Sequence, residues 1–186
     1  MIELTNYFQL KHGLDEKTLN SIIPLFKKQT VKRDKFLIKP GQIVKNYYFI
    51  ESGCFRNYFL HKEKEYTVWI ETPGELFTEI KSLRHQQPTE YFIQAIETTD
   101  YSFIDGKIFE DLARKTPSLQ SYLVSFWENR FIISLEGFKL FQTMNAKQRY
   151  DYITRHFPRF LDLPLQHLAS LVGITQSSLS RIRRIR

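Results

Sequence analysis

Residues 163–184 read LPLQHLASLVGITQSSLSRIRR. Pro164 can open a helix, because a first helical turn leaves its amides unpaired and proline has none to lose. Leu165, Leu168, Ala169 and Leu171 then fall on the apolar side, with Ala169 small enough to admit a second helix. Gly173 follows Val172 where a left-handed residue would end the helix, and Ile174 plugs the turn. Thr175 is a good N-cap for the next helix, on which Leu179 and Ile182 face inward. Gln176, Ser177, Ser180, Arg181, Arg183 and Arg184 are left outward. Two short helices, a glycine turn and a polar second helix make a helix-turn-helix.

The outward residues suit duplex DNA. Glutamine can pair with both edge atoms of adenine, arginine can bridge the two acceptors of guanine, and serine adapts to either. Gln176, Ser177, Ser180 and Arg181 are therefore candidate base readers. Thr175, Ser178 and the helix N-terminus can hold a phosphate; Arg183 and Arg184 are further candidate phosphate contacts, and with Arg186 they add positive charge. An ordinary helical hairpin with basic ends is the alternative; the small Ala169 and the placed Gly173 weigh against it.

Charge is distributed in the same sense. Residues 1–115 carry 17 Lys/Arg and 16 Asp/Glu, whereas residues 116–186 carry 10 and 4. The basic excess thus lies at the C-terminal end, as in a nucleic-acid-binding segment beside a near-neutral domain; a solvated basic surface would look alike on charge alone. The chain has 186 residues, enough for one or two domains, and aromatic residues make up 15% of it, which suggests a bulky core. The lone cysteine, Cys54, cannot form an intrachain disulfide, and it cannot supply the several thiolates of an iron–sulfur cluster. The N-terminus lacks a signal-peptide pattern and no window suits a membrane span, so a cytoplasmic protein without membrane contact is expected.

Upstream, residues 14–28 read as a short helix capped by Asp15. From Val31 to about Asp105, short β-rich runs alternate with turn signals such as Lys39-Pro40-Gly41, Ser52-Gly53 and Thr72-Pro73-Gly74. Strands are expected at 36–38, 47–51, 55–61, 66–71, 91–97 and 101–104, with 61–65 as a charged hairpin tip, in a sandwich or barrel. After Gly106 the period is helical: one helix at 107–115, then a long one from Pro117 to about Met144. Leu119, Phe126, Ile133 and Leu140 are spaced by seven, like a coiled-coil seam, and Val124, Phe131 and Phe138 form a second line. Such a helix needs two partners, the barrel and the same helix of a second copy, or else it lies wholly buried in one domain. Asn145 then caps a helix to about Phe157, which Pro158 stops.

The stretch LQHLASLVGITQSSLSRIR, together with PGQIVKNYYFIESGCFRNYF upstream, resembles the Crp/Fnr family of transcription regulators over nearly the full chain. The resemblance implies an α+β protein. Its parts would be an N-terminal β-barrel or jelly roll of cyclic-nucleotide-binding type (1–115), a long dimerisation helix (116–144) and a C-terminal helix-turn-helix domain (145–186). It implies a sequence-specific regulator acting as a homodimer on double-stranded DNA, with RNA polymerase and a small-molecule effector of unknown identity as further partners. Gln176, Ser177 and Arg181 take the family's base-reading positions and Thr175 and Ser178 its phosphate positions. An effector would act by moving the long helix and resetting the spacing of the recognition helices.

Two departures from the family follow. In FTEIKSLRHQQPTEYFIQA (77–95) Glu79 remains, but Thr78 replaces a glycine, and Thr89 and Glu90 stand where an Arg-Ser pair would hold a cyclic phosphate. A carboxylate facing a phosphate is repulsive, and Arg84, elsewhere in the loop, is a cation that could compensate. Cyclic nucleotide binding is therefore not expected; Glu79, Arg84, Thr89, Glu90 and Trp127 are the candidate lining of an effector pocket of another kind. The chain also ends at Arg186, so the wing that follows the family's recognition helix is expected to be absent or reduced. No cofactor, metal cluster or catalytic motif is identified, and an enzyme is not expected. A ligand sensor or a protein-interaction adaptor without DNA reading are the alternatives.

Overall fold

The computed structural model describes residues 3–184; Arg186, named above for its charge, lies outside them. The chain forms two compact units, one made of 1–59 with 69–126 and the other of 60–68 with 127–186.

The first unit begins with a helical turn α1 (Leu4–Asn6) continued by a π-helical segment, Tyr7–Lys11, and then α2 (Glu16–Ile22). Asp15 caps α2, its carboxylate accepting from the Thr18 amide at 2.8 Å; these bonds to Thr18 hold its carboxyl below the ordinary range. The expected helix to residue 28 ends sooner. Pro24 tightens Ile23–Leu25 into a 3₁₀ turn, and the polar run KKQTV becomes strand β1 (Lys27–Val31). It lies at a sheet edge, where pairing with β8 (Thr99–Asp105) replaces burial as the source of order.

The remaining strands are β2 (Phe36–Ile38), β3 (Asn46–Ser52), β4 (Phe55–His61), β5 (Lys64–Glu71), the short β6 (Leu76–Phe77) and β7 (Phe92–Ala95). They make two four-stranded antiparallel sheets, β1-β8-β3-β6 and β2-β7-β4-β5, a jelly-roll arrangement of the expected class. Its interior holds Ile38, Val44, Ile50, Ile93 and Ala95 around four rings, Tyr48, Phe55, Phe77 and Tyr101. Tyr48 and Phe77 stack at 5.4 Å, and Phe55 meets Tyr101 edge-on at 5.7 Å. Burial raises both Tyr48 and Tyr101 above the ordinary phenol value.

Helix α4 (Gly106–Lys115), capped by Asp105, leads to α5 (Pro117–Thr143). Within the first unit Phe8, Phe26, Tyr47 and Phe109 form one aromatic cluster. The N-terminal part of α5 joins that unit through Tyr47–Phe126 and through the Tyr7–Tyr122 hydroxyl contact of 2.9 Å.

The expected seam along α5 needs correction. Leu119, Phe126 and Leu140 are 0%, 8% and 7% exposed within the single chain, and only Ile133, at 39%, is open. These residues are spent on the cores of the chain's own two units. The other seven-spaced line is the one left bare: Val124, Phe131 and Phe138 are 53%, 64% and 65% exposed, with Leu135 beside them at 52%. At ~100° per residue the two lines lie on nearly opposite sides of the helix.

The second unit contains α6 (Ala146–His156), a 3₁₀ turn at Pro158–Asp162, α7 (Leu165–Val172), α8 (Gln176–Arg184) and the hairpin tip 60–68. Asn145 caps α6 in a reciprocal box: its side chain accepts from the Gln148 amide, and Gln148 accepts from its own. The hairpin tip turns in two residues, Lys62 and Glu63, both at positive φ, as a type I′ turn requires.

Two glycines in the first unit have positive φ for different reasons. Gly41 (φ +86°) has nothing near the place of a Cβ, whereas at Gly53 (φ +80°) a Cβ would stand 2.6 Å from the Thr98 carbonyl oxygen. Gly41→Ala should therefore cost only the left-handed penalty of about 1–2 kcal/mol. Gly53→Ala adds overpacking worth about 1–3 kcal/mol more. Urea unfolding of the two variants side by side checks the difference.

Candidate nucleic-acid interface

The helix-turn-helix is built as the residue types dictate. Leu168, Ala169, Leu171 and Val172 of α7 and Leu179 of α8 are all buried, with Ile182 half-buried. Gly173 takes a left-handed φ of 82°, and the Ile174 amide reaches back to the Ala169 carbonyl at 3.0 Å while the Gly173 amide donates to Ser170 at 3.1 Å. That double closure satisfies carbonyls that a helix end otherwise leaves open. Thr175 caps α8: its Oγ1 accepts from the Ser178 amide at 3.2 Å and lies 3.0 and 2.9 Å from the hydroxyls of Ser177 and Ser178.

On α8 the predicted readers share a face. Gln176, Ser180, Arg184, Ser177 and Arg181 fall within an arc of about 140°, opposite the side that Leu179 and Ile182 turn inward. Gln176, Ser177, Arg181 and Arg184 are exposed and Ser180 half-buried. Two of the residues expected at phosphates lie on or beside the same arc. Arg184 shares the readers' arc. Arg183 lies at its margin, and its Nη2 donates a long bond of 3.5 Å to the Leu161 carbonyl. No acidic residue lies on α8, so the arc combines amide, hydroxyl and guanidinium donors with no carboxylate to repel a phosphate.

The hairpin tip contributes to the same unit. Ser170 of α7 accepts from the Thr67 amide at 3.0 Å and donates to the Glu65 carbonyl at 3.3 Å. Sequence reasoning left this contact out; a serine on the polar side of α7 gave no sign of a partner about a hundred residues away.

The candidate effector residues stand in two places. In the first unit, 80–85 forms a helix, α3 (Ile80–His85), that the sequence reading did not assign. Buried Glu79 caps it, accepting from the Lys81 and Ser82 amides at 3.0 and 3.1 Å. Thr78, where the family has glycine, donates to the Asn46 carbonyl at 2.8 Å. Thr89 is buried; its amide donates to Gln42 and its carbonyl accepts from Gly41, both at 2.9 Å. Glu90 is exposed and pairs with Lys81 at 3.1 Å, and that hydrogen bond, followed by the charge behind it, raises Lys81 above its ordinary value. Arg84 is bound to Glu110 of α4 at 2.7 Å, and the Tyr47 hydroxyl donates to the other oxygen of Glu110 at 2.9 Å. Trp127 belongs to the second unit. Thus Glu79, Thr89 and Glu90 gather around the loop that α3 opens, while Arg84 points its charge at α4.

Among the described residues no group of three or more His, Cys, Asp or Glu could hold a metal ion, and no helix is long and apolar enough to cross a membrane. Cys54 is buried.

Comparison with known proteins agrees with this geometry. Residues 28–116 match the family model of the cyclic nucleotide-binding domain. The anaerobic regulatory protein of Pasteurella multocida is 25% identical over 185 residues, which cover 91% of this chain and 66% of that protein. The fumarate and nitrate reduction regulatory protein of Yersinia pestis is 26% identical over 92% of this chain and 72% of its own. The chain therefore spans about two thirds of the length of these relatives. Among solved structures, a transcriptional regulator of the Crp/Fnr family from Eubacterium rectale superposes with a TM-score of 0.70 at 18% identity, covering 97% of this chain and 87% of that one.

Proposed function

We propose that this chain is a regulator of the Crp/Fnr type, a sequence-specific DNA-binding transcription regulator that works as a homodimer in the cytoplasm. The observation that carries the reading is α8. A helix held by Leu179 and Ile182 presents Gln176, Ser177, Ser180, Arg181 and Arg184 on one face, at the end of the chain where the basic excess lies. Both of these relatives are regulatory proteins by name. A recognition helix of this kind enters a major groove, and two copies read half-sites about one helical turn apart.

The dimer part rests on the bare face of α5. Val124, Phe131, Leu135 and Phe138 form an apolar stripe on one side of a long helix, and a second copy of the same helix is the partner whose shape and polarity match it. That stripe replaces the line first expected, which the chain's own cores use.

The sensor unit is proposed to bind no cyclic nucleotide. Four rings fill the space between the sheets, Glu90 stands where a phosphate would need a cation, and Arg84 is already paired with Glu110. Any effector is then a molecule of another chemistry.

Selection from random-core duplexes is expected to enrich a palindrome. Arg181→Ala should relax it at one base pair per half-site, at a cost of about 1–3 kcal/mol. Weak binding that collapses with salt and enriches nothing would leave only counterion release and would overturn the reading. Phe131→Asp combined with Phe138→Asp should sediment as a folded monomer; a persistent dimer would move the interface elsewhere. A ligand at about 1,000 times its dissociation constant stabilises its protein by about 4 kcal/mol. Millimolar cyclic AMP is expected to leave thermal unfolding unmoved, and a clear rise in the midpoint would reinstate it as effector.

A further inference from the structure

Helices α5 and α6 are joined by two residues, Met144 and Asn145, and α7 and α8 by the turn at Gly173. Both joints end on one side chain. Arg149, in the first turns of α6, donates from Nε to the Val172 carbonyl at 2.9 Å and from Nη1 to the Met144 carbonyl at 2.7 Å. Its guanidinium carbon lies 4.7 Å from the centroid of the Phe141 ring on α5. Phe141 also closes against the helix-turn-helix: a Cβ at Gly173 would stand 3.1 Å from Phe141 Cε1. All of these residues belong to the second unit.

The chemistry suits the place. The last carbonyls of a helix have no intrahelical partner and carry the negative end of its dipole. Here Val172 closes α7, and Met144 directly follows α5. A guanidinium offers donors in a rigid planar fork and a flat face for a ring, so one side chain can serve both carbonyls and stack at once. A lysine ammonium is a point charge on a flexible stem and lacks the fork and the face.

We infer that Arg149 is a positioning residue for DNA reading. It fixes the pose of α8 against the C-terminal part of α5, and through α5 it sets the separation of the two recognition helices in the dimer. It lies on none of the faces assigned to base contact. The inference rests on the DNA-reading dimer proposed above.

The test titrates the full chain, Arg149→Ala and Arg149→Lys against three duplexes at several salt concentrations. One carries the selected palindrome, one the same half-sites moved apart by a base pair, and one a single half-site. Arg149→Ala should lose roughly three- to thirtyfold on the palindrome, the range for residues that act through others. It should hold its single half-site affinity within about twofold and show a flattened preference for the correct spacing. The slope of log affinity on log salt should stay unchanged. Arg149→Lys, which can reach one carbonyl but not both, should fall between; it carries the comparison alone if the alanine variant melts near the assay temperature. An equal loss on all three duplexes marks a merely structural residue and overturns the inference. A salt slope shallower by about one marks a phosphate contact instead and overturns it too. If the unaltered protein selects no palindrome, the DNA reading itself falls and takes this inference with it, a result distinguishable because it precedes any variant.

Discussion

A helix of 27 residues rises about 40 Å, and α5 buries apolar side chains toward both of its ends. Its Leu119, Tyr122, Leu123 and Phe126 are buried in the first unit and its Leu140 in the second, so the core of each unit depends on a different stretch of one rod. That use consumes one side of the helix. The opposite side carries Val124, Phe131, Leu135 and Phe138, and a single chain has no second layer left to lay over them. An isolated phenyl ring on a surface is ordinary, but a line of large apolar residues along one helix face marks an interaction surface. The demand for a partner is thus built into the way the helix has been divided between two cores.

The first unit resolves the opposite problem, having too many polar groups in one loop. Between Thr78 and Tyr91 a buried carboxylate, a buried serine and a buried threonine must each find partners, or cost about 1–3 kcal/mol apiece. They find them inside the chain: Glu79 at two amides of α3, Ser82 at the Val44 amide and the Gln87 carbonyl, Thr89 at the Gly41–Gln42 turn and the Tyr91 amide. Lys81 and Arg84 are matched by Glu90 and Glu110. The substitution of Thr78 for glycine belongs to the same pattern, since its hydroxyl ties the loop to β3.

The recognition unit was legible in the sequence because its signals are local. Gly173 must be left-handed, Thr175 must cap, Asn145 and Gln148 sit at capping-box spacing, and Leu179 and Ile182 share a face; each follows from residues a few positions apart. The strands at 36–38 and 55–61 were legible for the same reason, as apolar alternation between turn signals. What escaped was set by distant partners. Strand β1 is polar and ordered by its pairing to β8, seventy residues on. Helix α3 exists because Glu79 caps it in a loop that otherwise reads as a ligand cassette. The choice between the two seven-spaced lines of α5 was invisible, since both are apolar; it depends on which side meets Phe8 and Tyr47, and no local rule supplies that.

In the proposed function the work of reading DNA is divided between different residues. The α8 arc supplies chemistry that distinguishes one base pair from another, and it needs only a short, well-capped helix. Spacing between two such helices is a property of how α8 is held to α5, and a nine-residue helix cannot set it alone. The stack of Phe141 on Arg149, with the guanidinium bridging Met144 and Val172, links the long helix to the turn before α8. A base-reading side chain and a clamp of this sort differ in what they discriminate: the first selects letters within a half-site, the second the distance between half-sites. Specificity for a palindrome needs both, and the two proposals place them on separate helices.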